Sequence, residues 1–131
     1  MSSFDAEVLA SQLAQLGRDL QDEVKHLAML EHAAVDSEST YRHTQVNLQK
    51  VLDEGYLSVK GNVEERKAQA RLKAEAQQLD LEDAYREWGI TKADVRIQQA
   101  SLSALHRRCE IGRSLLSREK ALISLAGVGE V

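Results

Sequence analysis

Between Leu79 and Ile123 the apolar positions follow a strict period. Leu81, Trp88, Val95, Leu102, Cys109, Leu116 and Ile123 stand seven residues apart with no proline between them. A sustained heptad row predicts a long helix with one continuous apolar seam. Tyr85, Leu105, Ile111 and Leu115 lie beside the row, which widens the stripe enough to face two neighbouring helices. A second row, Leu20, Leu27, Ala34, Tyr41 and Leu48, keeps the same period, flanked by Val24, Leu30, Val51 and Leu52. Its middle, Val35 to Thr44, is rich in Ser and Thr and predicts looser packing there. Ahead of it Val8, Leu9, Leu13 and Leu16 share one helical face, with Ser3 or Asp5 as the cap. Gly17 then marks either a break, with Asp19 capping the next helix, or a weak point within a continuous one.

Glycine and polar residues punctuate the middle of the chain. Gly55 and Gly61 bracket Tyr56-Leu57-Ser58-Val59-Lys60, which has a short β-like alternation. Asn62 with Glu65 has the spacing of a helix-capping box. These signals predict an all-α fold: a short N-terminal helix over about 3–16, a second helix over about 19–54, a hairpin tip at 53–62, a long helix over about 63–123 and a frayed tail at 124–131. The two long helices form an antiparallel hairpin in a single domain and assemble through coiled-coil-like packing. A helix of that length spans about 90 Å at ~1.5 Å per residue, too long for a compact globule of this chain length. A lone hairpin covers little of its apolar stripe, so the reading implies a homo-oligomer larger than a dimer.

Composition agrees: aromatics are 4%, proline is absent, and helix-favouring residues dominate. The net charge of −4 argues against a generally basic nucleic-acid binder. The charge is unevenly spread, however. Residues 1–60 carry five basic and ten acidic side chains, whereas residues 91–120 carry seven basic and three acidic. Such an asymmetry can orient a partner or a neighbouring copy, and it also fits an ordinary solvated helix surface. One cysteine excludes an intrachain disulfide, and Cys109, at a seam position, reads as a small buried hydrophobe. There is no signal-peptide pattern and no apolar run long enough to cross a membrane, so a cytoplasmic location is expected.

Little points to catalysis. Glu23 and His26 have the spacing used in di-iron bundles, but no second such pair exists. His106 and Cys109 share a helical face without a second ligand pair. The expectation is a non-enzyme needing neither metal nor cofactor. The turn is more informative. Lys50, Lys60, Arg66 and Lys67 surround Tyr56. Basic groups beside an aromatic ring can follow a phosphate backbone while stacking a base. The same residues also suit a plain turn in which Tyr56 and Leu57 cover the helix ends. A further basic set, Lys92, Arg96, Arg107, Arg108, Arg113, Arg118 and Lys120, lies mostly off the seam and can snorkel toward the acidic second helix.

Two short motifs carry a resemblance. Leu52-Asp53 followed by Tyr56-Leu57-Ser58-Val59-Lys60-Gly61-Asn62 resembles the turn of the UvsY family of phage recombination mediators, and Trp88-Gly89-Ile90 is similar to that family's Trp-Gly-Ile. The resemblance covers roughly residues 45–120. It implies a non-catalytic phage protein that binds single-stranded DNA as a ring-like homo-oligomer. Such a protein helps load a RecA-like recombinase onto DNA covered by single-strand-binding protein. It also implies DNA contacts from basic residues just before and around the turn, for which Lys50 and Lys60 are the nearest matches. Val51 stands where the family pattern has a basic residue. The competing expectation is a phage-encoded helical inhibitor or adaptor that binds a protein by surface or charge mimicry.

Overall fold

A computed structural model describes residues 3–129 and, among them, three helices: α1 (Ser3–Ser58), α2 (Val63–Lys73) and α3 (Glu75–Gly129). The architecture is all-α, with α1 and α3 packed as the two arms of an antiparallel hairpin. The contacts divide the chain into two units. One joins Met1–Ala28 to Arg96–Val131, and the other is Met29–Val95.

The expected heptad row on α3 is the packed face. Cys109 is buried, and Leu81, Trp88, Val95, Leu102, Leu116 and Ile123 are half-buried between exposed neighbours. The seam has another row that apolar spacing does not reveal. Gln77, Ala84, Thr91, Gln98, Leu105, Gly112 and Glu119 alternate with the first row at spacings of three and four, and all are buried or half-buried. Five of these seven are polar or glycine, so this second row of the seam is mostly not apolar. Of the residues expected beside it, Leu105 joins the seam, whereas Tyr85, Ile111 and Leu115 are exposed. Trp88 is half-buried: Tyr41 of the helix opposite stacks on its ring and leaves the rest accessible.

On α1 the packed positions run without a phase shift from Ala6 through Leu13, Leu20, Leu27, Ala34, Tyr41 and Leu48 to Gly55, interleaved with Leu9, Leu16, Glu23, Leu30, Ser37, Thr44 and Val51. This continuity carries the helix through Gly17, so the break expected after residue 16 does not occur. A glycine inside a helix costs about 1 kcal/mol, which the unbroken row of leucines on either side outweighs. The short N-terminal helix is therefore the first part of α1.

The tip is also tighter than expected. α1 continues to Ser58, so Tyr56 to Ser58 are helical rather than extended, and the connection shrinks to residues 59–62. Gly55 permits this, because a side chain there would meet Ala70 Cα at 3.1 Å. Gly61 turns the chain with φ +134°, a conformation that other residues avoid. Asn62 caps α2, its side chain accepting from the Glu65 N–H at 2.9 Å. Glu65 answers by accepting from the Asn62 side-chain amide at 3.2 Å, not from its backbone as a capping box would have it.

The long second arm, expected as one helix over 63–123, is interrupted at Ala74, whose N–H is shared between the carbonyls of Ala70 and Arg71. The helix resumes at once, with the Gln78 N–H bonded to the Ala74 carbonyl. The packed register passes through the interruption, with Ala70 and Ala74 both buried. At the far end, the expected frayed tail is helical to Gly129, and Glu130 and Val131 lie outside the described residues.

Candidate nucleic-acid interface

The basic residues expected at the turn fall on three elements. Lys50 is exposed on α1, Lys60 is exposed in the connection, and Lys67 is exposed on α2. Arg66 and Tyr56 are half-buried and meet, the guanidinium lying 5.5 Å from the ring centroid. The contact joins the last turn of α1 to the first turn of α2 and covers part of the Tyr56 ring. Tyr56 is therefore not a freely presented stacking platform. Arg66 Nε is buried with no hydrogen-bond partner.

Two further cations at this end were not among the expected site residues. Lys73 Nζ donates to Ser58 Oγ at 3.2 Å, and Arg71 is exposed on α2. Counted over residues 56–73, the tip carries five basic and two acidic side chains. Part of that charge has a structural use. The last turn of α1 holds no basic residue, and Arg66 and Lys73 of α2 bring positive charge to it, one over the Tyr56 ring and the other on the Ser58 hydroxyl. Lys60, Lys67 and Arg71 are the exposed remainder. Lys50 sits differently, since Asp53 and Glu54 follow it at the spacing of adjacent turns and make its own surface acidic.

A second cluster in the same unit is formed by residues far apart in sequence. Tyr41 stacks on Trp88 with centroids 5.3 Å apart, and Tyr85 meets both, tilted to Tyr41 at 5.4 Å and edge-on to Trp88 at 6.5 Å. Lys92 Nζ lies 3.8 Å from the Trp88 ring centroid. Trp88 thus lies between Tyr41 and a cation, while Tyr85 remains largely exposed at 58%. The heptad spacing put Tyr41 and Trp88 on their seams, but only the pairing of the helices brings them together. An open apolar groove also lies in this unit, lined by Leu48, Leu52, Leu72 and Ala74 with Arg71, Glu75 and Gln78 at its edges.

The α3 basic set is exposed except for Lys92, which is half-buried. Ion pairs among the described residues include Glu38–Arg42 and Asp83–Arg86, and the imidazoles of His32 and His106 lie beside the carboxylates of Asp36 and Glu110, each contact within a single helix. Three of the four residues with metal-ligand spacing are otherwise engaged or buried, and His26 is exposed. Glu23 is bonded to Gln98, His106 is paired with Glu110, and Cys109 is a buried free thiol. Among the described residues no group of three or more potential ligands gathers around one point, and no helix is long and apolar enough to cross a membrane. No family model matches the chain, and no curated protein or solved structure resembles it significantly.

Proposed function

We propose that this chain is a non-enzymatic, recombination-mediator-like protein of phage type, acting in the host cytoplasm. In this reading it binds single-stranded DNA as a homo-oligomer and helps load a RecA-like recombinase onto DNA covered by single-strand-binding protein. The observation that supports the DNA reading is the charge at the hairpin tip, where Lys60, Lys67 and Arg71 stand exposed on a chain that is acidic as a whole. Each site is weak, but copies presented together on one strand bind multivalently.

A labelled oligonucleotide titrated at several salt concentrations tests this. The Lys50→Ala/Lys60→Ala variant should keep its helicity and its mass yet lose affinity at low salt, mostly through Lys60, and adding Lys67→Ala and Arg71→Ala should remove most of what is left. Each phosphate contact removed lowers the salt slope by about 0.7. No binding by the parent protein at low salt would exclude the reading. Unchanged affinity in the variant would exclude these two lysines as contacts.

The cluster of exposed Tyr85 with half-buried Trp88 and Lys92 favours a second reading, a helical inhibitor or adaptor that binds a protein. Tyrosine and tryptophan dominate the energetic centres of protein interfaces. Here the outcome would be partner binding that survives Lys50→Ala/Lys60→Ala and is lost with Tyr85→Ala.

A further inference from the structure

The unit formed by the N-terminal part of α1 and the C-terminal part of α3 carries a second heptad stripe besides the packed seam. Ile97, Ala104, Ile111, Leu115, Leu122 and Leu125 are all exposed and recur on one flank of α3 at spacings of three, four and seven. Arg108 and Arg118 fall in the same stripe. Between this flank and α1 lies an apolar groove, where Leu9 and Leu16 meet Ile111 and Leu115 with Gln12 and Arg108 on the rim. The α1 edge that carries Gln12 continues through positions 15, 19 and 22, so Asp19 and Asp22 share it.

We infer that this flank is a self-association surface, on which α3 of each copy lies against the acidic α1 edge of a second copy. The inference deepens the homo-oligomer part of the proposed function and does not depend on DNA binding. Charge is the argument. In this unit the α1 segment 5–28 carries five acidic and two basic side chains, whereas the α3 segment 96–127 carries six basic and two acidic. Packing α3 on α1 of the other copy sets opposite charges together, whereas packing α3 on α3 would set arginines on arginines. A two-fold axis parallel to the helices produces this arrangement and keeps every neighbouring pair antiparallel, as in a four-helix bundle.

The test uses the full chain in sedimentation equilibrium over a range of micromolar concentrations, with circular dichroism alongside. The parent should show at least twice the 14.6 kDa chain mass. Ile111→Asp/Leu115→Asp should reduce it to one chain. If that variant also loses helicity, the charge pair decides instead. Arg108→Asp should weaken association about tenfold, and adding Asp19→Arg should restore it. A parent that stays at one chain mass with full helicity overturns the inference. So does an Ile111→Asp/Leu115→Asp variant of parental mass, or a charge swap without rescue. Lys50→Ala/Lys60→Ala should leave the mass unchanged, so loss of DNA binding with intact assembly counts against the DNA reading alone.

Discussion

At the scale of single residues, the most consequential side chains are the polar ones inside the seam. Gln98 donates to the Glu23 backbone carbonyl at 3.2 Å and also to the Glu23 carboxylate. The pair ties one position on α1 to one on α3. An apolar heptad seam is tolerant of sliding by a whole repeat, and a buried polar pair disfavours such slips because they would leave both partners unpaired. Gln98→Leu should therefore cost about 1–2 kcal/mol, since it strands a half-buried carboxylate against an apolar surface. Glu23→Leu/Gln98→Leu should recover that stability or exceed it. Urea unfolding measures both. A single variant as stable as the parent would mean that the pair does not hold the register. Thr91, by contrast, turns its hydroxyl back to the Trp88 carbonyl at 2.9 Å and is satisfied within its own helix.

At the scale of elements, the glycines separate propensity from packing. Gly17 has nothing within 4 Å of where a side chain would begin. Gly17→Ala should raise stability by about 0.5–1 kcal/mol, through helix propensity and a less flexible unfolded chain. Gly55→Ala should do the opposite despite an equally helical backbone, because the new methyl would press on Ala70 of α2. Thermal unfolding of the two variants should shift in opposite directions, and a shift in the same direction would refute the packing account. The heptad periodicity of both arms is legible in the amino-acid sequence, since it needs only the spacing of apolar residues. The continuity of α1 is legible too once the row from Leu20 is extended back through Leu13 and Ala6. The one-residue interruption at Ala74 is not, because alanine carries no stop signal.

At the scale of the whole molecule, stability and assembly are expected to be linked. Among the described residues the buried apolar core is small: Leu48, Ala70, Ala74, Ala84 and Cys109. Large side chains such as Ile97, Ile111 and Leu125 remain in solvent. A chain that covers so little gains stability by binding copies of itself, and mass action then makes the unfolding midpoint depend on protein concentration. The thermal midpoint should rise steadily as the concentration is raised, measured by circular dichroism. A midpoint independent of concentration would show that a single chain is stable by itself.

The sequence by itself determined the apolar row of each seam, the place of the turn and Asn62 as the cap of α2, because helical periodicity and turn chemistry are local properties of neighbouring residues. It also located the basic residues of the tip. Only the tertiary structure decided what those residues are free to do. Arg66 is spent on the Tyr56 ring and Lys73 on the end of α1, leaving Lys60, Lys67 and Arg71 exposed. Likewise Tyr41, Tyr85 and Trp88 become one cluster, and Ile111 and Leu115 become a surface rather than a core, only when α1 is laid against α3. Such outcomes depend on which face of each helix the pairing consumes. A periodic stripe reports that a face exists, and packing between distant segments selects the one that is buried.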